Sequence, residues 1–236
     1  MQTFRPFSVT HALALIALTA TVGTLVALRR RRLGTTRAAA LDRSLAGVGF
    51  VIFGVVNAWP LLPANFDLSW SLPIHVCDVT TLCVPFALLG RSRAPRALLY
   101  FWGLGLSTQG VITPDLHDGP ARTGFWMFWL AHLSVVGGAL YDVFARGYRP
   151  TWRDYRLAVS VGLVYITLLV GVNLCLGVNY GYVGKATPGQ PTIVDMLGPW
   201  PWRVPVIVAL AVGAMTLLML PWELALRLRR PASARA

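Results

Sequence analysis

Residues 157–177 read LAVSVGLVYITLLVGVNLCLG, an apolar run without a single charged side chain. About 20 consecutive apolar residues are enough for an α-helix to cross the hydrocarbon core of a bilayer. Similar runs recur along the 236 residues, of which 56% are hydrophobic and only 13% are charged. A soluble domain usually carries about 25% charged residues. The sequence therefore predicts an all-α membrane bundle, formed as a single domain by residues 1–236.

The apolar runs predict seven membrane-spanning helices. Their approximate bounds are 9–28, 44–62, 72–90, 97–113, 124–145, 157–177 and 203–226. The fourth run is short, contains three glycines and ends before Pro114. Arg29–Arg32 follow the first run, whereas a cleaved signal peptide has its positive charges before the apolar stretch. The first run is therefore predicted to stay in the protein as a helix.

The basic residues predict the orientation of the bundle. Of the 21 Lys and Arg residues, 17 lie in the first, third and fifth gaps and in the C-terminal tail. The other side of the membrane receives Arg5, Arg122, Lys185 and Arg203. Because cytoplasmic loops are enriched in Lys and Arg, the N-terminus is predicted outside and the C-terminus in the cytoplasm. The net charge of +12 is then a topology signal, and we expect no binding to nucleic acid.

Most polar side chains of the predicted spans fall in their outer halves. These residues are His11, Asn57, His75, Cys77, Asp78, Gln109, Thr113, His132 and Asn173. Polar groups are costly in lipid and usually face the bundle interior, so the pattern predicts one polar pocket open to the outside. The outer gap 178–202 is rich in Pro and Trp and is predicted to cover it as a short lid. Near the inner ends, Asp142 and Glu223 each precede an arginine by four residues and can pair with it.

Cys77 and His132 are predicted to lie at similar depths. At the helical rise, Cys77 falls about 8 Å below the outer end of its span and His132 about 12 Å below that of its own. A thiol in apolar surroundings is a poor nucleophile, but a neighbouring imidazole can take its proton during attack. The predicted catalytic set is Cys77 as nucleophile and His132 as base, with His75 and Asp78 orienting or polarising the pair.

The remaining polar and aromatic residues near this pocket are predicted to bind substrate. They are Asn57, Gln109, Thr113, Asn173, Asn179, Trp200 and Trp202. The side-chain amides of Asn57, Gln109 and Asn173 can stabilise an oxyanion. Acyl transfer by such a site requires neither a metal ion nor another cofactor, and none is predicted.

Structural roles compete with each of these assignments. A cysteine within a membrane span commonly packs as a small hydrophobic residue. Cys77 and Cys175 are both near the predicted outer surface, where a disulfide can form. His132 can simply bridge two helices by hydrogen bonding.

Other function classes also remain open at this point. A metal-dependent membrane hydrolase would use His11, His75, Asp78 and His132, and a haem protein would use His75 and His132 as paired ligands. A transporter or a binding protein for a lipid or small molecule would need no nucleophile. A retinal protein in its usual form is excluded, because the only lysine is Lys185, which lies in a loop.

Several segments of the chain carry a resemblance to a known family. These segments are 72–78 (LPIHVCD), 109–116 (QGVITPDL), the aromatic helix that contains His132, 179–185 (NYGYVGK) and 195–202 (DMLGPWPW). Over nearly the whole chain the sequence resembles the bacterial YwaF-like integral membrane proteins, which are themselves similar to eukaryotic transmembrane protein 164.

The resemblance implies a seven-helix protein in the bacterial cytoplasmic membrane. Transmembrane protein 164 is a cysteine-dependent acyltransferase of ether phospholipids, and it is distantly similar to androgen-induced lipid hydrolases that use a threonine and a histidine. In this sequence Cys77 matches the acyl-accepting cysteine and His132 matches the histidine. The resemblance thus implies an acyltransferase, transacylase or lipid hydrolase whose partners are membrane phospholipids.

Overall fold

The computed structural model describes residues 3–31, 34–90, 92–116, 118–185 and 196–229, and within them all regular structure is helical. The α-helices are α1 (Val9–Arg31), α2 (Thr35–Ala58), α3 (Val76–Leu89), α4 (Arg93–Leu98), α5 (Thr108–Ile112), α6 (Thr123–His132), α7 (Gly138–Phe144), α8 (Trp152–Leu176) and α9 (Arg203–Arg229). Residues Leu99–Leu104 and Leu133–Gly137 form π-helical segments that continue α4 and α6. Short 3₁₀ turns cover Trp59–Leu61 and Tyr180–Tyr182. The predicted all-α class is confirmed for these residues.

Within the described ranges, five helical stretches are long and apolar enough to cross a membrane. They are Val9–Arg30, Thr35–Leu61, Thr123–Phe144, Trp152–Leu176 and Arg203–Leu228, and each overlaps one predicted span. The predicted third span contains only the 14-residue helix α3, because residues 72–75 are not helical. The predicted fourth span is interrupted at Leu106 and Ser107, between its π-helical segment and α5.

The bundle has an inner and an outer group of helices. In the 123–144 stretch 56% of the apolar window is buried within the protein, against 11–17% in the other four long stretches. Helix α3 and the 93–112 segment are also interior, and residues 99–103 are all buried. The outer helices α1, α2, α8 and α9 therefore present most of their apolar side chains to the surroundings, as expected for helices in lipid.

Helices α2 and α8 begin before the apolar runs that predicted them. The first turn of α8 carries a capping box, in which the Thr151 hydroxyl and the Asp154 carboxylate satisfy each other's backbone N–H groups. Asp154 also binds Arg93 through a 2.7 Å ion pair. Both helices can thus continue past their apolar runs into charged residues, provided that these charges are paired.

A buried network of ion pairs holds one end of the bundle together. Asp42 binds Arg29 at 2.9 Å and Arg146 at 3.2 Å. Asp142 binds Arg96 at 2.8 Å and Arg146 at 2.9 Å, so the predicted pairing of Asp142 with Arg146 is confirmed. The network joins α1, α2, α4 and α7 through alternating positive and negative side chains.

The predicted pairing of Glu223 with Arg227 stays a prediction. Glu223 accepts a 2.8 Å hydrogen bond from the indole N–H of Trp152, which links α9 to the start of α8.

Truncating Asp142 should destabilise the fold strongly. Its carboxylate is only 3% exposed and serves two arginines, so Asp142→Ala leaves buried positive charge without its partner. Breaking a buried ion pair in this way costs about 3–5 kcal/mol of unfolding free energy. Unfolding in mixed detergent micelles measures this loss. Asp118→Ala is the control, because its pair with Arg122 is exposed, spans 4.0 Å and should contribute about 0–1 kcal/mol. Equal losses for the two variants would contradict the assignment of the network as a structural element.

Candidate functional site

Cys77, Ser107 and His132 meet at the opposite end of the bundle from the ion-pair network. The Cys77 Sγ lies 3.7 Å from the His132 Nε2 and 3.6 Å from the Ser107 Oγ, both within hydrogen-bonding range for sulfur. His132 and Ser107 are buried, and Cys77 is half-buried in the first turn of α3. The predicted proximity of Cys77 and His132 is therefore confirmed. Their chemical roles are a separate question.

The hydrogen bond on the far side of His132 decides which ring nitrogen faces the thiol. Nδ1 lies 2.8 Å from the Phe128 carbonyl oxygen one turn earlier in α6. A carbonyl can only accept, so Nδ1 carries the proton and Nε2 of the neutral ring presents its lone pair to Cys77. The Phe128 ring stacks on the imidazole at 4.1 Å between centroids and restricts its rotation. His132 is thus held as a proton acceptor aimed at the sulfur.

Gly110 provides the space that His132 occupies. A Cβ built on this α5 glycine would overlap the Nε2, Cδ2 and Cε1 atoms of the imidazole. The contact explains why the glycine-rich fourth run places a glycine at this point of its helix. Backbone of α5 therefore forms one wall of the site.

Both π-helical segments border the site. One segment ends three residues before Ser107, and the other begins directly after His132. The Leu106 and Ser107 N–H groups both donate to the Trp102 carbonyl, at 3.0 and 2.8 Å, as the chain leaves the first segment. A π-bulge changes the direction of the side chains that follow it and is frequent at functional sites. Sequence analysis missed Ser107, although the polar stretch Ser107-Thr108-Gln109 after a glycine-rich run was an available signal.

The three cysteines lie in different surroundings and all are free thiols, so the alternative of a Cys77–Cys175 disulfide is wrong. Cys83 is buried in an apolar cluster that includes Ala46 and Val84. Cys175 is exposed near the end of α8. Cys77 is thus the cysteine that the structure brings into contact with a histidine.

His75 and Asp78 are placed beside the pair by the start of α3. The Asp78 carboxylate accepts a 2.9 Å hydrogen bond from the His75 backbone N–H, which caps the helix. The His75 ring bonds to the Trp70 carbonyl at 3.1 Å and lies 5.0 Å from the Tyr180 ring. These contacts fix the turn that presents Cys77. A direct catalytic role for either residue stays a prediction.

Tyr180 ties two of the motif segments together. Its hydroxyl donates to the Leu68 carbonyl at 2.7 Å and accepts from the Leu72 N–H at 2.9 Å. Leu72 is the first residue of the segment that contains Cys77. Its backbone N–H and C=O are both bound by the Asn173 amide, at 2.7 and 2.8 Å. Asn173 thus clamps the 178–185 loop onto the end of α8.

Tyr182 connects the same loop to the Thr-Pro-Asp segment. Its hydroxyl donates to the Asp115 carboxylate at 3.1 Å. Burial, followed by the nearby Asp115 charge, raises the pKa of Tyr182 to about 12, so the phenol remains a donor at neutral pH. Gly181 and Tyr182 have φ values of 62° and 61°, a left-handed conformation that a tyrosine rarely adopts and that marks functional loops. The Trp200 indole N–H donates to the Val183 carbonyl at 3.0 Å. This bond attaches the Trp-rich segment that contains Trp200 to the same loop.

The other predicted substrate contacts are spread more widely. Asn57 is buried, and its amide donates to the Phe53 carbonyl within α2 at 2.8 Å. Gln109 and Thr113 are exposed on and just after α5, and Asn179 accepts from the Gly184 N–H at 2.9 Å. Trp202 is 73% exposed. Substrate binding by these residues stays a prediction, as does the lid, since residues 186–195 lie outside the described part of the chain.

The metal-hydrolase alternative requires its proposed ligands to converge on one point. Among the described residues no group of three or more His, Cys, Asp or Glu side chains is arranged to hold a metal ion. His11 accepts from the Phe7 N–H through Nδ1 and bonds the Val111 carbonyl through Nε2, both at 2.9 Å. Both of its nitrogens are thereby engaged, and the Nε2 bond joins α1 to α5.

The chain was compared with curated proteins, with solved structures and with models of protein families. Neither the curated proteins nor the solved structures contain a match to the chain. The model of the TMEM164 family matches residues 6–219, which include Cys77, Ser107, His132 and all the motif segments described above. With its apolar helices and a match over most of its length, this membrane protein belongs to the TMEM164 family.

Proposed function

We propose that the protein is a cysteine-dependent phospholipid acyltransferase or transacylase, with Cys77 as nucleophile and His132 as general base. The observation that carries the proposal is the 3.7 Å contact between the Cys77 Sγ and a His132 Nε2 whose lone pair is directed at it. A thiol with a fixed imidazole acceptor is the minimal arrangement for covalent acyl transfer.

In the first step, the Cys77 sulfur attacks the carbonyl carbon of a phospholipid ester while its proton moves to His132 Nε2. The tetrahedral intermediate collapses as the C–O bond breaks, and the lysophospholipid alkoxide leaves with the proton from Nε2. The products are acyl-Cys77 and a lysophospholipid. Ser107 can donate its hydroxyl hydrogen to the sulfur once the thiol proton has left, which stabilises the developing thiolate.

In the second step, the hydroxyl of another lysophospholipid attacks the thioester carbonyl and gives its proton to Nε2. The C–S bond breaks, the sulfur recovers a proton from His132, and a new phospholipid is released. Water in place of the lysophospholipid gives a free fatty acid, which is the hydrolase form of the same chemistry. Surroundings poor in water favour the transfer reaction over hydrolysis.

Acyl exchange in lipid nanodiscs tests this proposal. Purified protein is incubated with phosphatidylcholine that carries one labelled acyl chain and with unlabelled lysophospholipid, and the products are separated by mass spectrometry. We expect the labelled chain to appear on the second lipid. Exchange indistinguishable from empty nanodiscs across ester-linked and ether-linked phospholipid classes would contradict the proposal.

We further propose a seven-span topology in the bacterial cytoplasmic membrane, with the N-terminus outside. Helix α3 begins at Val76, directly before Cys77, and ends near the ion-pair network, where Arg146 donates to the Ala87 carbonyl. The 93–112 segment runs back, from Arg96 in the network to Val111, which bonds His11. Both interior segments thus run from one end of the bundle to the other, as two further spans would.

A C-terminal fusion reports this orientation directly. With 17 of 21 basic residues on the inner side, a C-terminal alkaline phosphatase should be inactive and a C-terminal green fluorescent protein should be bright. The matched controls are the same two fusions at the N-terminus, for which the phosphatase should be active. An active C-terminal phosphatase with a dark fluorescent fusion would reverse the topology and place the site on the cytoplasmic side.

A further inference from the structure

An apolar groove opens between α8 and α9. Its wall is formed by α8 residues such as Gly162 and Ile166 and by α9 residues such as Val208, Ala211 and Met215. The groove encloses about 410 Å³ of empty space, including the part that opens outward.

The interior of the groove has no polar group left to recognise a polar ligand. Trp102 forms its floor, and the indole N–H donates to the Ala158 carbonyl at 3.2 Å. Tyr165 lines one end, and its hydroxyl donates to the Ile74 carbonyl at 2.7 Å. Every other lining side chain is aliphatic or is a glycine or methionine. The chemistry of the wall therefore suits hydrocarbon.

The position of the groove determines what can enter it. Helices α8 and α9 are the least buried of the long helices, with 11% of each apolar window covered by protein. In a membrane their outer surfaces, and the groove between them, face the acyl chains of the bilayer. A hydrocarbon chain is thus the occupant present at high concentration at the entrance.

One end of the groove lies beside the backbone that carries Cys77 and Ser107. Val76 and Leu106 line this end, and they are the direct neighbours of Cys77 and Ser107 in the sequence. The hydroxyl of Tyr165 bonds to Ile74 in the turn that presents Cys77. From Ile166 to Val159 the groove then runs along α8 for about 10 Å, a third of the hydrocarbon thickness.

We infer that this groove between α8 and α9 binds the acyl chain of a membrane phospholipid, entered laterally from the bilayer, with its carbonyl end toward Cys77 and its tail along Ile166 to Val159. The inference rests on the proposed acyl transfer for the identity of the carbonyl end. The presence of the chain in the groove can be measured without any transfer.

Photo-cross-linking tests whether a phospholipid acyl chain occupies the groove. The full chain is placed in phosphatidylcholine nanodiscs doped with a phosphatidylcholine whose acyl chain carries a diazirine, and the adducts are located by peptide mass spectrometry. Labelling should concentrate on groove-lining residues of α8 and α9. Ala211→Trp should reduce this labelling about tenfold or more, because the indole takes the space of several methylene groups.

Ala209→Trp is the matched control, since Ala209 is exposed on the same helix and does not line the groove. It should leave the labelling pattern unchanged. Labelling spread evenly over α1, α2, α8 and α9, or equal labelling in the two tryptophan variants, would overturn the inference.

A second measurement separates a filled groove from a misfolded protein. The labelling rate of Cys77 is compared for a methyl and a long-chain alkyl methanethiosulfonate. Ala211→Trp should slow only the long-chain reagent, and Ala209→Trp should slow neither. If Ala211→Trp slows both reagents, the substitution has disturbed the structure in general. Ala211→Leu must then slow the long-chain reagent alone, and otherwise the inference fails. Neither this assay nor the cross-linking depends on turnover, so a failure of acyl exchange alone would count against the proposed function and leave the groove assignment standing.

Discussion

Replacing Cys77 by alanine should reduce acyl exchange to the level of empty nanodiscs, whereas Cys83→Ala and Cys175→Ala should retain most of it. Cys77 is the thiol in contact with His132, at 3.7 Å, and without it no thioester can form. Cys83 lies in a separate apolar cluster, and Cys175 is exposed on an outer helix. The measurement is the initial rate of labelled-chain exchange, normalised to folded protein by size-exclusion chromatography.

The two other cysteines serve as matched controls for loss of a thiol within the same bundle. Cys83→Ala is the more demanding one, because it creates a small cavity in a packed core. Full exchange by Cys77→Ala, with the variant folded, would remove the covalent mechanism. Cys77 would then be a packing residue, and a role in lipid binding or transport would become the better explanation of the site.

Replacing His132 by alanine should slow acylation of Cys77 by about 10²–10⁴-fold, the usual cost of losing a general base. Gly110→Ala should also slow acylation of Cys77, although it replaces neither catalytic residue. Its new methyl group would occupy the place of the imidazole and force the ring away from the sulfur. The measurement is the rate at which a lipid-like electrophile, such as a long-chain alkyl chloromethyl ketone, alkylates the Cys77 sulfur with loss of chloride.

Gly105→Ala is the matched control for Gly110→Ala. Its Cβ would meet the Leu218 side chain at an ordinary contact distance of 3.4 Å, and it lies in the same segment of the bundle. In this control variant the electrophile should modify Cys77 at the wild-type rate. Equal slowing by both glycine variants would indicate general packing damage, and labelling that is indifferent to His132→Ala would exclude this histidine as the base.

The sequence was sufficient to predict the all-α class, the five long apolar helices and the proximity of Cys77 to His132. These features follow from the length of an apolar helix and from the depth of a polar residue along it, both of which can be read from residue spacing. The pairing of Asp142 with Arg146 was predictable for the same reason, because the two are one helical turn apart.

Other features depend on contacts between distant parts of the chain. Ser107 contacts Cys77 from a turn that follows a π-helical segment, and residue spacing does not reveal this interruption of the helix. Asp42 meets Arg146 across more than a hundred residues. The loop clamp by Asn173 also required the structure, since sequence analysis assigned its amide to substrate and the structure shows it bound to Tyr180.

The direct test of the covalent mechanism is the intact mass of the protein after brief incubation with phosphatidylcholine nanodiscs and an acid quench. We expect a fraction of molecules to be heavier by one acyl group, carried by the peptide that contains Cys77. Neutral hydroxylamine should remove this group, as it does from a thioester, and Cys77→Ala should lack it. Two results together would contradict the covalent mechanism. Acyl exchange would proceed when the acceptor lysophospholipid is present, and the Cys77 peptide would stay unmodified at every time point, including in a separate incubation without the acceptor.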